Sequence, residues 1–129
     1  AACLLNWARA RARRKPLSQP PRLARAAALK GREVLSCGRI SHTPCGSDAA
    51  APLQASGYRA AVFGENLYAA WSTLVSARRV VAAWLRSPPH RRNILEARFR
   101  HVGTAFVQAP GDGHEAQAIV WVAAFAAPR

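Results

Sequence analysis

The segment from Trp84 to Leu95, with the sequence WLRSPPHRRNIL, restricts the possible folds of this chain more than any other stretch. The apolar residues that lead into it recur every three or four positions, which predicts a helix with one buried face. The Ser-Pro-Pro sequence at 87–89 then ends this helix, because proline lacks an amide donor and disfavours the α conformation in the residue before it. We therefore expect His90 on a rigid turn, with residues 93–95 returning the chain to the core.

The hydrophobic pattern places helices first and a β-hairpin last. We expect helices over residues 2–14 and 21–35, a third from a capping Ser72 or Ser76 to Arg86, and a short helical turn ending at Ala97. Extended segments are predicted at 62–67, 102–108 and 118–125, with a Pro-Gly-Asp-Gly turn at 110–113 joining the last two. A loop spans residues 37–58. This order predicts an α+β layered sandwich that forms one domain over residues 1–129.

The chain is strongly basic, with 17 Arg and 2 Lys against 6 acidic residues and a formal net charge of +13. Such a surface attracts anionic polymers or lipid head groups. A high-GC coding sequence and a solvated face explain the same bias more simply, so specific recognition of nucleic acid is not expected. No apolar run has the length of a membrane span, and the first residues have no signal-peptide pattern. A secreted protein would therefore have lost its signal already.

Two of the three cysteines, Cys37 and Cys45, flank the sequence GRISHTP, which contains His42. A disulfide between them would hold His42 in a short loop and would indicate an oxidising compartment, whereas two reduced thiols are the alternative. Cys3 lies on an apolar helix start, so we expect it to be buried. The spacing does not fit a structural zinc site, because no CxxC pair is present.

Glu65 lies between apolar neighbours, so its carboxylate needs a partner to offset the cost of burial. His42 and His90 are candidates, but they are 23 and 25 residues away, and only a tertiary fold could bring them to Glu65. For an isolated histidine, a hydrogen-bonded loop position is the commoner explanation. We expect His101 and His114 to be exposed, the latter in the hairpin turn, and Trp84 and Trp121 to lie in the core.

Several sequence pieces, in this order along the chain, resemble the CAP superfamily, which holds cysteine-rich secretory proteins, antigen 5 and plant pathogenesis-related proteins. They are LLN..R at 4–9, PL at 16–17, SH at 41–42, GEN at 64–66, W..SP.HR.NIL at 84–95 and VG at 102–103, followed by an aromatic last strand. The pieces cover nearly the whole chain and are most similar to the short bacterial extracellular members. The resemblance implies an α-β-α sandwich, with helices packed on a small antiparallel sheet, secretion and a central cleft.

In the family this cleft carries two histidines and two acids. The resemblance assigns His42, Glu65 and His90 to three of these positions and places Ser87 where eukaryotic members have the second acid. It implies a weak site for zinc or another divalent cation with His42 and His90 as ligands. Glu65 would be a third ligand, directly or through water, or would orient one imidazole. A nucleophile pair of Ser87 and His90 is disfavoured, because two prolines separate them and no oxyanion hole is evident.

Three functions are consistent with these features. The first is a secreted, monomeric binding module for a divalent metal, a lipid or an anionic cell-envelope ligand. The second is a metal-assisted hydrolase acting on extracellular peptide or envelope polymer, with Glu65 as the base. The third is a basic protein that binds anionic polymers through its arginines. The missing second acid favours the first function, although the fold by itself does not decide.

Overall fold

The computed structural model describes residues 1–71, 74–110 and 118–129. In these ranges the helices are α1 (Ala2–Arg11), α2 (Pro21–Cys37), α3 (Ala51–Ala55), α4 (Ala77–Arg86) and α5 (Pro88–Leu95). The strands are β1 (Ala60–Ala70), β2 (His101–Gln108) and β3 (Ile119–Pro128), and they form one antiparallel sheet in the order β1-β3-β2. The predicted α+β class is therefore confirmed. Ser72, the turn residues 111–113 and His114 lie outside the described residues.

The central strand β3 is buried on both faces, as its nearly continuous apolar sequence predicts. On one face, Phe125 belongs to a core cluster that contains Leu5, Trp84 and Ile94 from α1, α4 and α5. On the other face, residues that alternate with Phe125 along β3 pack against α2 and α3. The sheet is thus enclosed between two helical layers, which is the expected α-β-α sandwich.

Close packing of α2 on the sheet depends on a glycine in β2. A Cβ atom on Gly103 would lie 2.1 Å from the carbonyl carbon of Leu23 in α2. Because backbone atoms at this point cannot move aside cheaply, only glycine fits here without displacing the helix. This contact fixes the first turns of α2 and therefore the course of the helix towards Lys30.

The expected rigid turn at His90 is wrong. The two prolines do end the preceding helix, but they also begin α5, where the amide hydrogens that proline lacks would have no helical acceptor. Ser87 is the extended residue between the helices, and His90 lies in the first turn of α5. The imidazole is therefore carried by a regular helix whose Ile94 is anchored in the core.

Two other expectations about individual side chains are also wrong. Cys3 is exposed, because the buried residues of α1 are Ala2, Leu5, Ala8 and Arg9, and position 3 is on the opposite side of the helix. His101 is half-buried rather than exposed, and its Nδ1 lies 2.7 Å from the hydroxyl oxygen of Tyr58. Trp84 is buried as expected, while Trp121 is half-buried against the core cluster that contains Phe125.

No helix in the described ranges combines the length and the apolar character that a membrane crossing requires.

Candidate functional site

The candidate site lies at β1, which is an edge strand of the sheet. Its backbone carbonyls at Glu65 and Leu67 accept hydrogen bonds from side chains rather than from another strand. The donors are Asn93 Nδ2 at 3.1 Å and Trp84 Nε1 at 3.0 Å. These bonds tie α4 and α5 to the strand and cover part of an edge that would otherwise be open to pairing.

His90 is held beside the same strand through its backbone. Asn66 Nδ2 donates to the carbonyl oxygen of His90 at 3.0 Å, and Asn93 Nδ2 donates to Asn66 Oδ1 at 2.9 Å. Asn66 is fully buried, so the geometry of this amide network is well constrained. The two asparagines therefore position the first turn of α5 relative to the GEN sequence of β1.

His42 reaches Glu65 from the loop after α2. A disulfide between Cys37 and Cys45 closes this loop, as the close spacing of the two cysteines suggested. The distance from His42 Nδ1 to Glu65 Oε1 is 2.8 Å. The Glu65 side chain is 5% exposed and the His42 side chain is 57% exposed. While Glu65 is ionised it can only accept, so Nδ1 of His42 carries the proton and Nε2 of a neutral imidazole has a free lone pair.

Lys30 also belongs to the candidate site, although no sequence motif pointed to it. Its side chain is 1% exposed, and Nζ lies 3.8 Å from Glu65 Oε1. The ammonium group also donates to the backbone carbonyl oxygens of His42 and Ala49. A signal was available, because Lys30 occupies a position on the apolar face of α2 between Ala27 and Val34. A lysine on such a face requires an acidic or carbonyl partner.

Burial and nearby charges shift the pKa values of Glu65 and His90 in opposite directions. Burial raises the pKa of Glu65, although the hydrogen bond from His42 and the charge of Lys30 act against this increase. Burial also lowers the pKa of His90, and the positive charge of protonated His42 lowers it further. His42 and His90 are therefore within electrostatic range of each other, and His90 favours its neutral form.

Ser87 does not join this network. Its amide nitrogen donates to the carbonyl of Trp84 at 3.1 Å, and its carbonyl accepts from the amide of Arg91 at 2.8 Å. Within the described residues no hydrogen bond joins its hydroxyl to His42, Glu65 or His90. Its contacts are those of a residue that separates two helices.

The residues present do not fit a three-ligand zinc site. Among the described residues, no three His, Cys, Asp or Glu side chains are grouped so that they could hold a metal ion. The charge of Glu65 is moreover already balanced by Lys30 at 3.8 Å. Catalytic zinc usually has three protein ligands, so two imidazoles completed by water or by a ligand correspond to a weaker site.

Comparison with known proteins gives the family. The model of the cysteine-rich secretory protein family, CAP, matches residues 4–125. A relative, the uncharacterized protein YkwD of Bacillus subtilis (strain 168), is 28% identical over 107 residues, which are 82% of this chain and 40% of that protein. The chain therefore spans well under half the length of this relative.

Three solved structures share the fold. An outer surface protein of Borrelia burgdorferi superposes with a TM-score of 0.83 at 17% identity, covering 99% of this chain and 90% of that one. An extracellular protein of Bacillus anthracis containing an SCP domain has a TM-score of 0.76 at 21% identity, covering 95% and 37%. A cysteine-rich secretory protein of Staphylococcus aureus has a TM-score of 0.71 at 16% identity, covering 97% and 36%. With the family model matching nearly all of its length, this chain belongs to the CAP family of cysteine-rich secretory proteins.

Proposed function

We propose that this CAP domain is an extracytoplasmic, monomeric binding module whose cleft is formed by His42, Glu65 and His90. The observation that carries the proposal is the hydrogen bond of 2.8 Å between His42 and Glu65. It orients an exposed imidazole by means of a buried carboxylate, as carboxylates that are hydrogen-bonded to metal-binding histidines do. The cleft ligand is a divalent cation, a lipid or an anionic cell-envelope component.

The proposed extracytoplasmic location has two supports. The disulfide between Cys37 and Cys45 is typical of proteins that fold in an oxidising compartment. Two of the structural relatives are described as an outer surface protein and as an extracellular protein. Both features agree with a domain that meets its ligand outside the cytoplasm.

The proposed cation site uses the two imidazoles alone. Nε2 of His42 is available for a cation because Nδ1 is engaged by Glu65, and the lowered pKa of His90 keeps its imidazole neutral near pH 7. Imidazole nitrogen suits zinc and other late transition metals. With Lys30 beside Glu65, we expect weak binding in which water or a further ligand completes the coordination.

Calorimetry with zinc chloride tests this proposal. Wild-type protein should bind zinc at one site, and His42→Ala and His90→Ala should each abolish the heat of binding. His101→Ala is the matched control, because this histidine forms a hydrogen bond with the hydroxyl group of Tyr58 and lies outside the cleft. If both cleft variants bind zinc as tightly as the wild type, the cleft assignment is wrong.

A metal-assisted hydrolase is the alternative, and one observation favours it. Burial raises the pKa of Glu65, which makes its carboxylate a stronger base than an exposed glutamate. In that case Glu65 would take a proton from an attacking water. The partnership with Lys30 and the absence of a second acid at Ser87 favour binding instead. If zinc-treated wild-type protein cleaves a peptide or envelope-polymer library and Glu65→Gln does not, the hydrolase is supported and the binding proposal is wrong.

A further inference from the structure

A concave surface lies apart from His42, Glu65 and His90, between the first turns of α2, the helix α3 and the start of β1. It has a volume of about 910 Å³. Four arginines line it, and we call it the arginine groove: Arg22, Arg25, Arg59 and Arg129. Neither His42, Glu65 nor His90 is among the described residues that line the groove, and none of those lining residues is acidic.

Two of the four guanidinium groups are held in place by backbone carbonyls. Arg22 Nη1 donates to the carbonyl oxygen of Gly57 at 3.3 Å, and Arg129 Nε donates to that of Ala60 at 3.2 Å. A guanidinium group has five N–H donors, so each of these arginines keeps most of its donors for a ligand. Their anchoring reduces the conformational entropy that a ligand would have to overcome.

Within the described residues, no carboxylate neutralises the charges in the groove. In the described part of the chain, none of the four arginines forms an ion pair with a carboxylate, whereas Arg98 pairs with Glu96 at 2.8 Å. The lining also includes the apolar residues Leu53, Val62 and Phe63. Four like charges around one concavity repel each other. An anionic ligand would remove this repulsion.

We propose that the arginine groove binds a ligand that carries at least two phosphate groups. The planar fork of arginine matches phosphate oxygens in bidentate geometry. Two phosphate groups supply several negative charges within a short distance, whereas single carboxylates would have to be more numerous to balance four arginines. A diphosphorylated lipid head group and a soluble oligophosphate present the same chemistry. The groove is separate from the proposed cleft function and does not depend on it.

Binding of sodium tripolyphosphate to the full chain, measured by calorimetry at physiological ionic strength, tests the proposal. The double variant Arg25→Gln/Arg59→Gln removes two groove charges without disturbing the anchored Arg22 and Arg129. We expect its affinity to fall at least about tenfold, since a hydrogen bond to a charged group contributes roughly a factor of ten or more. The double variant Arg25→Lys/Arg59→Lys keeps the charge but loses the fork, and its affinity should fall between those of the wild type and the Gln variant.

The matched control is Arg78→Gln/Arg79→Gln, which removes the same net charge from exposed positions in the first turn of α4. We expect this control to change the affinity by less than about threefold, because screening weakens distant charges at this ionic strength. Equal losses in the two Gln double variants would overturn the proposal, as would an absence of tripolyphosphate binding by wild-type protein. His42→Ala should bind tripolyphosphate like the wild type, which separates this site from the cleft.

Vesicles of phosphatidylcholine containing cardiolipin, which has two phosphates, distinguish the sources of phosphate. If the groove variant also loses binding to these vesicles relative to the control, a lipid head group is a ligand of the groove. If only tripolyphosphate binding is lost, the ligand is a soluble phosphate compound.

Discussion

His42 Nδ1 and Glu65 Oε1 are 2.8 Å apart, and this bond joins an imidazole that is 57% exposed to a carboxylate that is 5% exposed. The histidine lies in a disulfide-closed loop and the glutamate in an edge strand. Lys30 approaches the same oxygen to 3.8 Å from within the core. The buried carboxylate thus contacts both a buried ammonium group and a solvent-accessible imidazole.

Replacing Lys30 by Met should destabilise the protein. The substitution keeps most of the side-chain volume but leaves the buried Glu65 carboxylate without its cation, and the loss of one partner of a buried pair costs about 3 kcal/mol. Urea unfolding at neutral pH measures the free energy of unfolding. Lys15→Met is the control, because Lys15 is exposed. A change for Lys30→Met as small as that of the control would show that the buried pair is not stabilising.

The pH dependence of stability should carry the signature of Glu65. Burial raises its pKa above the ordinary value of 4.5, so the folded protein holds this proton more tightly than the unfolded chain. The contribution of Glu65 is therefore complete below about pH 4.5 and is lost as the pH rises through the folded pKa. Urea unfolding from about pH 3 to 8 should show this decline in the wild type and not in Glu65→Gln.

Glu96 should contribute to stability with the opposite pH dependence, and Glu96→Gln tests this in the same unfolding measurements. The hydrogen bond from Arg98 lowers the pKa of Glu96, so its contribution is present above the ordinary value of 4.5 and is lost as the pH falls through the folded pKa. Glu96→Gln should remove this loss at acid pH and leave the decline above about pH 4.5 unchanged. If Glu65→Gln instead changes the loss of stability at acid pH, the two pH-dependent changes in stability have been assigned to the wrong residues.

His90 should titrate below its ordinary pKa of 6.5, chiefly because it is partly buried and also because His42 is near. NMR titration of the imidazole resonances measures both histidines. In His42→Ala the midpoint of His90 should rise, since one opposing charge is gone, but it should stay below 6.5 because burial persists. Stability linked to His90 is present above its ordinary pKa and is lost as the pH falls through the folded value. A midpoint at or above 6.5 in wild-type protein would contradict this arrangement.

Removing the disulfide should weaken both the fold and the proposed cleft. Cys37 and Cys45 are separated by 8 positions, and closing so short a loop stabilises a protein by about 2–3 kcal/mol in the chain-entropy model. Cys37→Ser/Cys45→Ser should lose this amount in urea unfolding and should bind zinc less tightly, because His42 is within the loop. Cys3→Ser should have little effect, since Cys3 is exposed. A thiol assay on native protein should count one free thiol, and a count of three would contradict the bridge.

Much of the fold followed from local patterns. The apolar periodicity of α2 and α4 and the continuous apolar run of β3 predicted these elements. Burial of a helix face or of a strand requires apolar residues at a fixed spacing along the sequence. The start of α5 was not predicted, because a Ser-Pro-Pro sequence is compatible both with the end of one helix and with the first turn of another. The packing of Ile94 into the core stabilises the helix that follows the two prolines.

Parts of the candidate site were accessible through the resemblance to the CAP superfamily. The order of SH, GEN and SP.HR.NIL pointed to His42, Glu65 and His90, and the closely spaced cysteines pointed to the bridge. The sequence did not predict the contact of Lys30 with Glu65, because the two residues are distant in sequence. It did not predict the arginine groove either, since Arg22, Arg59 and Arg129 belong to three separate segments of the chain.

The sequence by itself determined most of the helices and strands, the two layers of apolar residues and the identity of the polar side chains that require partners, although the loop expected over residues 37–58 contains α3. The tertiary structure alone decided which groups come together: Lys30 and His42 at Glu65, and four arginines around one groove. The physical reason is that burial depends on short-range periodicity, whereas the energy of a charge depends on distances between residues that only the complete fold brings together.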